Sequence, residues 1–430
     1  MDMKQLAICI PTYNQPEMIR EMSIRCLDIY KENNIDIYIY DSSPGSETER
    51  IVLEYKVNYN NISYAHLPSD IHSNTKVLNA YKEIIGEGKY EYLWLCPDYI
   101  QLTAEGVKCI MQHCRSGFDV CVLNYRDVEH IGEKRYEDID VFFRECAWHM
   151  SSYMATIIRI SSFADVDWEK FFQRYTIPER INHSHVAFYL EQLAKLPDAR
   201  AVHVPISSEH MRVSTYRKES MWKKEMFAVW AEYWPETIRA LPEQYRHKDE
   251  VIRKLGINTG IFGWTNFVAL RREQIYGREV YQKYRNEWKN LTNIPAVFLW
   301  ILAILPAEMV VLLKKPSFKR RFMNAHLRRF CARNENIVIY GCGFVAEKTS
   351  VILDELHIKY QGYIVSDSNN EKQCFHGLPV IECSELVQRN RDVGVIMALN
   401  KENAIQVIKE RPGLQLYKVF YMYKYEEVLK

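Results

Sequence analysis

The sequence predicts an α/β protein built from more than one domain. Its 430 residues, 47% of them hydrophobic, are enough for two or three separate cores. In the first quarter of the chain short β-rich runs alternate with helical ones, which is typical of a parallel sheet. The same alternation returns near the carboxyl terminus after a glycine-rich turn. We therefore predict three segments: 1–215, 216–333 and 334–430.

The first strand is predicted at residues 6–10, an apolar run that we expect to be covered on both faces. Pro11 lacks a backbone donor and stops the pairing. Beyond it, at the strand end where open α/β sheets bind ligands, Thr12 can hydrogen-bond a base and Tyr13 can stack on one. The segment is equally consistent with a simple strand-to-helix turn in which Asn14 caps the following helix.

A second strand is predicted at residues 35–40, which alternate and are β-rich. It ends at Asp41, whose carboxylate can accept from a base N–H or a ribose hydroxyl. Residues 16–33 between the two strands have helical spacing. Because the connections are short, this strand–helix–strand order predicts a parallel pair.

Two further strands continue the pattern. Residues 62–67 form the third strand and 74–85 the helix after it, and residues 92–96 form the fourth strand. The fourth strand ends at Asp98, between a proline and a tyrosine. Polar residues thus follow the first, second and fourth strands, which predicts a ligand site at one edge of the sheet.

This ordered set of turns resembles the family 2 glycosyltransferases, which have the GT-A fold. The resemblance covers roughly the first half of the chain. It implies a nucleotide-sugar donor site formed by Pro11, Thr12, Tyr13, Asn14, Asp41, Asn74, Lys76 and Asp98. By the resemblance Asp41 would bind the edge of a uracil-type base, Asn74 and Lys76 would lie near the nucleotide, and Asp98 would hold a diphosphate-bound metal.

The metal turn departs from the family pattern because only Asp98 remains of the usual two or three acidic residues. Mg²⁺ needs few protein ligands, since phosphates and waters complete its octahedron. Mn²⁺ also accepts imidazole, which makes His210 a candidate second ligand. We expect Mn²⁺ or Mg²⁺ at this site. The alternatives are that Asp98 is a turn residue, that His210 is a surface histidine, and that the site is weak or inactive.

Inverting members of the family need a base that takes the proton of the acceptor hydroxyl. The family places it near a helix start, often in a Glu-Asp pair, and this pair is absent from residues 175–186. The candidates are His185, His183, Glu179 and Glu191, with His185 preferred. Because helical residues two apart face different directions, at most one histidine should reach the substrate. For each of the four, a surface role is the alternative.

Composition points to a cytoplasmic protein. The formal net charge of +1 offers no basis for nucleic-acid binding. The eleven cysteines include no Cys-x-x-Cys pair, which favours a reducing compartment. The chain starts directly with a strand and shows no cleavable signal.

The middle segment contains an apolar stretch at residues 294–313 that approaches the length of a membrane span. Pro306 and Glu308 inside it argue against crossing. Basic residues follow directly: Lys314, Lys315, Lys319, Arg320, Arg321, Arg328 and Arg329. We predict that residues 294–329 rest on the anionic inner leaflet of the cell membrane. The alternative is a buried helix packed on the catalytic domain, with a solvated basic face.

The carboxyl-terminal segment predicts a small Rossmann-like α/β domain. A strand at residues 337–340 leads into Gly341-Cys342-Gly343-Phe344-Val345-Ala346, the Gly-x-Gly-x-x-Ala form of the dinucleotide fingerprint, and a second strand ends at Asp367. The segment resembles small nucleotide-binding domains found on sugar-modifying enzymes. Gly341, Gly343 and Asp367 are candidate contacts to NAD or another nucleotide. The alternative is a structural or partner-docking module.

Together these features predict an inverting glycosyltransferase that moves a sugar from a nucleotide-sugar, with UDP preferred, to a hydroxyl of a lipid-linked saccharide in bacterial surface polysaccharide or capsule synthesis. Two alternatives remain. One is a weak or inactive relative that binds nucleotide-sugars or docks a partner. The other is a two-function chain whose carboxyl-terminal domain modifies a sugar with a nicotinamide cofactor. Whether the chain forms a homo-oligomer stays open.

Overall fold

The computed structural model describes residues 3–125, 132–217, 223, 225–312, 316–334, 336–366, 374–389, 393–411, 413–414 and 417–425. The chain divides into two compact units, Met1–Ile304 and Leu305–Lys430. Each unit has its own sheet.

The first unit contains ten strands and thirteen α-helices among the described residues. The strands are Lys4–Thr12 (β1), Asp36–Asp41 (β2), Ile62–His66 (β3), Tyr90–Leu95 (β4), Ile100–Leu102 (β5), Val120–Asn124 (β6), Lys134–Tyr136 (β7), Thr156–Arg159 (β8), Ala201–Pro205 (β9) and Met211–Val213 (β10). The helices are Pro16–Glu32 (α1), Glu47–Lys56 (α2), Ser73–Glu87 (α3), Ala104–Ser116 (α4), Ile139–Cys146 (α5), Trp168–Tyr175 (α6), Ser184–Leu193 (α7), Trp234–Arg239 (α8), Lys248–Asn258 (α9), Trp264–Arg272 (α10), Arg278–Lys283 (α11), Trp288–Leu291 (α12) and Ala296–Ile304 (α13).

The main sheet has the order β3-β2-β1-β4-β8-β6-β9-β7. β1 pairs in parallel with β2 and with β4, and β2 pairs in parallel with β3. β8 runs antiparallel to both of its neighbours, β4 and β6. Leu6 to Ile10 of β1 are at most 2% exposed, as expected of a central strand covered on both faces. The predicted parallel pair and α/β class are confirmed, and the carboxyl ends of β1, β2 and β4 meet at one edge.

A short antiparallel ribbon, β5 with β10, follows the fourth strand. Its register sets Ile100 opposite Val213 and Leu102 opposite Met211. The backbone continues this pairing by one step, because the Ser214 N–H donates to the Tyr99 carbonyl at 2.7 Å. The ribbon therefore brings the chain just after β10 alongside the turn that contains Asp98.

The helices from residue 225 to 304 pack within the first unit around a cluster of aromatic rings. Its members are Phe227, Phe262, Phe267, Tyr276 and Trp288. The unit division at residue 304 separates α13 from the rest of the segment predicted to rest on the membrane. The domain bounds at 215 and 333 stay predictions. Within the described residues, every helix is too short or too polar to cross a bilayer.

The second unit contains six strands and five α-helices among the described residues. The strands are Asn336–Tyr340 (β11), Tyr363–Val365 (β12), Cys374–Phe375 (β13), Leu378–Glu382 (β14), Val393–Met397 (β15) and Lys418–Tyr421 (β16). The helices are Ala307–Leu312 (α14), Pro316–Cys331 (α15), Phe344–Glu355 (α16), Cys383–Arg389 (α17) and Lys401–Glu410 (α18).

The second sheet has the order β13-β14-β12-β11-β15-β16, and all its pairs are parallel except β13 with β14. β11 lies between β12 and β15, so the chain order reverses at its carboxyl end. The predicted Rossmann-like alternation of strands and helices is present. Asp367 lies outside the described residues.

Candidate functional site

The turns after β1 and β4 are joined by a side-chain hydrogen bond. The Thr12 hydroxyl donates to Oδ2 of Asp98 at 2.8 Å. The two strands are neighbours in the sheet, so their parallel pairing places both turns at the same edge. Thr12 and Asp98 were predicted to lie near the same nucleotide, and the structure brings them into contact.

Lys76 lies beneath this contact and ties the first turn to the second. Its ammonium donates to the Thr12 carbonyl at 2.7 Å and to the Ser42 hydroxyl at 2.8 Å, and the residue is only 3% exposed. Burial lowers the pKa of Lys76 to about 8, while the nearby carboxylates of Asp41 and Asp98 act in the opposite direction. Near neutral pH the edge therefore contains a buried cation beside two carboxylates.

Asp98 as a whole residue is half-buried in its turn, and its carboxyl group is the more enclosed part. Burial raises the pKa of Asp98 to about 6, and the Thr12 hydrogen bond and the charge of Lys76 lower it in part. The group is mainly ionised at neutral pH, so it can act as a ligand for a divalent cation.

Asp41 is fully buried at the tip of β2, and its oxygens are already used. Oδ1 accepts from the N–H and the hydroxyl of Ser43, and Oδ2 accepts from the Tyr64 hydroxyl at 3.0 Å. These hydrogen bonds to the buried carboxylate thus stabilise the second turn. Its predicted contact with the edge of a base stays a prediction.

The first turn presents Tyr13 outward, with 43% of the residue exposed. Pro11 is buried, and Asn14 takes a left-handed conformation with φ 53°. The Asn14 N–H donates to the Ser43 hydroxyl at 2.7 Å, which links the first turn to the second. The residue that precedes α1 is Gln15, so Asn14 does not cap this helix. The exposed tyrosine ring is available to stack on a ligand.

Asn74 connects the start of α3 to the start of α7. Its Nδ2 donates to the Asn182 carbonyl at 2.9 Å, and its Oδ1 lies 2.7 Å from Nδ1 of His185. Because a carbonyl accepts from Nδ2, Oδ1 must face the histidine, and Nδ1 of His185 must be the protonated nitrogen. The remaining nitrogen, Nε2, then carries a lone pair, and it is buried without a hydrogen-bond partner.

The predicted bases occupy different environments. His185 and His183 are at most 2% exposed, and burial lowers the pKa of His185 to about 3 and that of His183 to about 4. Nε2 of His183 lies 3.0 Å from the Val229 carbonyl. Glu179 is exposed, and Glu191 accepts from the Tyr175 hydroxyl at 2.6 Å. Both histidines are thus interior, neutral groups, and the identity of the base stays a prediction.

His210 and Asp98 are not brought together. In the β5–β10 ribbon Asp98 is level with Thr215, because Ile100 pairs with Val213. His210 lies five residues before Thr215, which corresponds to roughly 16 Å along an extended strand. Its backbone carbonyl instead accepts from the Thr103 N–H at 3.0 Å, next to the start of α4. Across the described residues, no group of three or more acidic, histidine or cysteine side chains could hold a metal ion.

The sequence-based prediction missed Arg217, which contacts Tyr99, the residue that follows Asp98. The Arg217 guanidinium lies over the Tyr99 ring, 4.1 Å from its centroid, and Arg217 is exposed. The segment is anchored because Glu21 of α1 accepts from the hydroxyls of Ser214 and Thr215. No local pattern marks these residues, since they meet only through the register of the β5–β10 ribbon.

In the second unit a cavity of about 340 Å³ lies at the carboxyl ends of β11 and β12. It is lined by Tyr340, Gly341, Ser366, Asn403, Gln406 and Glu410, among others. Gly341 has φ +112°, and a Cβ there would lie 3.0 Å from Leu399 and 3.1 Å from the Ala398 carbonyl. Gly343 has open space around it. The backbone conformation at Gly341, the first glycine of the fingerprint, therefore requires glycine. Gly343, the second, has open space beside it just before α16.

Comparison with known proteins gives weak similarity. No family model matches the chain, and no curated protein matches it. Among solved structures, S. aureus TarS (residues 1–349) has 13% identity and a TM-score of 0.40, covering 76% of this chain and 87% of that chain. The mannosyltransferase PcManGT from Pyrobaculum calidifontis, in complex with GDP-Man and Mn²⁺, has 13% identity and a TM-score of 0.37, covering 76% and 86%.

A third similar structure is glucosyl-3-phosphoglycerate synthase from Mycobacterium tuberculosis with Mn²⁺ and UDP-glucose, at 10% identity and a TM-score of 0.34, covering 53% of this chain and 76% of that chain. The first unit has the α/β architecture expected from the sequence, with its parallel strands in the order β3-β2-β1-β4 and β8 antiparallel beside them.

Proposed function

We propose that this chain is an inverting glycosyltransferase that uses a nucleotide-sugar donor, with UDP preferred. The observation that supports it best is the contact between Thr12 and Asp98 at the carboxyl ends of β1 and β4, with the Lys76 ammonium directly below. A cation and the carboxylate of a half-buried aspartate at this edge suit a nucleoside diphosphate with its metal ion. The acceptor that we propose is a hydroxyl of a lipid-linked saccharide at the inner face of the membrane, in surface polysaccharide synthesis.

The donor nucleotide would lie across the first turn. Tyr13 offers an exposed ring for stacking on the base. Arg217, held over Tyr99, is placed to pair with the diphosphate. Lys76 is already satisfied by two acceptors and keeps the turns in position while adding positive potential.

Mn²⁺ or Mg²⁺ fits this edge only as an ion shared with the donor. Asp98 supplies one carboxylate, and one of its oxygens already accepts from Thr12. The donor's phosphates and water would complete the coordination, as they do for Mg²⁺ at phosphate sites. The ion would neutralise the charge that develops on the leaving nucleoside diphosphate.

The base stays a proposal among His185, His183 and Glu179. His185 is preferred because its Nδ1 proton is held by Asn74, which leaves Nε2 free to accept a proton. Its burial opposes this role, since a neutral imidazole with a low pKa is a weak base. A His185→Gln variant with an intact melting temperature and undiminished transfer would remove His185 from the set.

The proposal is tested by differential scanning fluorimetry of the full chain with UDP-, GDP-, dTDP- and CMP-sugars, with and without Mn²⁺. We expect one nucleotide class to raise the melting temperature through preferential binding to the native state. Release of the nucleoside diphosphate should follow when an acceptor is added. Tight binding without turnover on any lipid-linked acceptor would favour the inactive relative. No stabilisation by any donor at millimolar concentration would overturn the proposal.

A second candidate function is nucleotide binding, of NAD or a related compound, in the cavity of the second unit. It is favoured by the position of the cavity at the carboxyl end of β11, where the chain order reverses, and by the strict need for glycine at Gly341. Titration calorimetry of the full chain with NAD and with ATP tests it. Ser366→Leu, which fills the cavity, should abolish binding, and Asp98→Asn should not. Absence of heat with both would refute it.

A further inference from the structure

Helix α13 has two apolar faces, of which only one is packed. Leu299, Leu302 and Ala303 are at most 3% exposed, and the helix lies against α10 and α11. The opposite face exposes large apolar side chains: Val297, Phe298, Trp300, Ile301 and Ile304, each 39–55% exposed. These five residues, here called the α13 face, recur at helical spacing on one side. An entirely apolar helix is normally buried, so the α13 face lacks a partner among the residues that the structure describes.

The elements around this helix are basic. Residues 271–289, which include α11 and the end of α10, contain six basic and three acidic residues. Two of the acidic residues are already paired outside the segment, Glu273 with Lys223 and Glu287 with Arg239. Four exposed cations of the segment have no acidic partner among the described residues: Arg272, Arg278, Arg285 and Lys289.

The chain beyond α13 has the same sign of charge. Residues 305–334 contain eight lysines and arginines and a single acidic residue, Glu308. An anionic lipid surface complements this charge, because each basic residue near such a surface is attracted to it. A second copy of the chain would instead bring two basic segments together.

We propose that the α13 face inserts into the surface of a bilayer containing anionic phospholipids. The nine-residue helix is too short to cross the hydrocarbon core, so it would lie in the plane of the interface. Trp300 and Phe298 are suited to this depth, because aromatic rings favour the membrane–water boundary. This inference assigns specific residues to membrane contact and does not depend on sugar transfer.

The test is flotation of the full chain with vesicles of phosphatidylcholine, with or without phosphatidylglycerol. We expect binding to the anionic vesicles, weakened by salt. The double variant F298S/W300S should reduce the bound fraction at least about tenfold. The matched control is I24S/L53S, which removes two equally exposed apolar side chains from α1 and α2. It should bind as the unchanged protein does.

Three results would overturn the proposal. The first is no binding to anionic vesicles. The second is equal binding to neutral and anionic vesicles. The third is a dimer in lipid-free buffer, seen by light scattering, that F298S/W300S converts to a monomer, since the face would then be an interface between two copies. The circular dichroism spectrum and the melting temperature of F298S/W300S without donor, compared with those of the unchanged protein, show that the variant is folded and keep this test separate from that of the glycosyltransferase function.

Discussion

In each unit the carboxyl ends of the central strands meet at one edge of the sheet, here called the crevice of that unit, and the two crevices differ in chemistry. In the first unit the edge contains Lys76, Asp98 and Thr12 in one hydrogen-bonded set. In the second unit the cavity starts at Gly341 and has mixed apolar and neutral polar walls, with Glu410 as its acidic member. Topology places both sites in the same way, and the side chains decide what each site can bind.

The two crevices also differ in the physical forces that constrain their residues. In the first crevice a buried cation and a carboxylate with a raised pKa stand near each other, so ionisation and ligand binding are coupled. In the second, the main constraint is the backbone of Gly341. Substitutions in the first crevice should therefore affect donor binding and activity, whereas substitution of Gly341 in the second should affect folding.

The largest effect is expected for Asp98→Asn. Loss of the single carboxylate at the metal turn should lower kcat/KM for sugar transfer by about 10²- to 10³-fold, the range seen when one electrostatic contact to a developing charge is removed. The measurement is nucleoside diphosphate release with Mn²⁺. Glu105→Gln, which neutralises an exposed carboxylate on α4, should leave the rate unchanged. Full activity of Asp98→Asn would show that the two crevices do not differ as proposed.

The pH dependence of activity should follow the ionisation of Asp98. Because the pKa of folded Asp98 is about 6, activity should fall about tenfold per pH unit below 6 as the carboxylate is protonated. The raised pKa also means that the folded state keeps a proton that the unfolded state loses, so the contribution of Asp98 to stability decreases as pH rises from about 4 to 6. Urea unfolding at several pH values should show this slope in the parent chain. A persisting slope in Asp98→Asn would assign it to another group.

Lys76→Met should weaken donor binding by about 10- to 100-fold, because the turns lose their cation and the Thr12 carbonyl loses a donor. The free energy of unfolding should fall by about 1–3 kcal/mol for the same reason. Isothermal titration with the donor and thermal melting measure the two effects. Lys82→Met, on an exposed position of the same helix, is the control. Equal donor affinity in both variants would contradict the role of Lys76.

Gly341→Ala should lower the free energy of unfolding by about 1–3 kcal/mol, since φ +112° is strained for alanine and the new Cβ would crowd Leu399. Gly343→Ala meets open space at an ordinary φ and should change stability by less than about 0.5 kcal/mol. Chemical unfolding followed by circular dichroism compares the two. Equal stability of the variants would mean that the fingerprint turn is less constrained than its backbone indicates.

The smallest effect is expected for Arg217→Ala. The guanidinium is exposed, so its contribution to donor affinity should be about 0.5–1 kcal/mol, or two- to fivefold in Kd. The melting temperature should not change. Arg212→Ala, an exposed arginine on β10, controls for loss of surface charge. A similar loss of donor affinity in both variants would show that the effect comes from the total surface charge and not from the position of Arg217.

Much of the fold was predictable because local sequence patterns determine where its strands and helices lie. The β-rich runs at residues 6–10, 35–40 and 62–67 each lie within or overlap an observed strand, and α1 begins at Pro16 as predicted. Prolines, glycines and strand-end acids mark where elements stop, and short connections predict parallel pairing. For the same reason the sequence placed Thr12, Asp41 and Asp98 at one edge of a sheet.

The sequence by itself determined the elements, their order and the edge at which polar residues gather. Only the tertiary structure decided which of these residues touch. The burial of Lys76 under Thr12 depends on how α3 packs, the distance from Asp98 to His210 depends on the β5–β10 register, and the interior position of His185 depends on how α7 packs against α3. Contacts between residues far apart in sequence arise from register and close packing, which leave no local pattern to read.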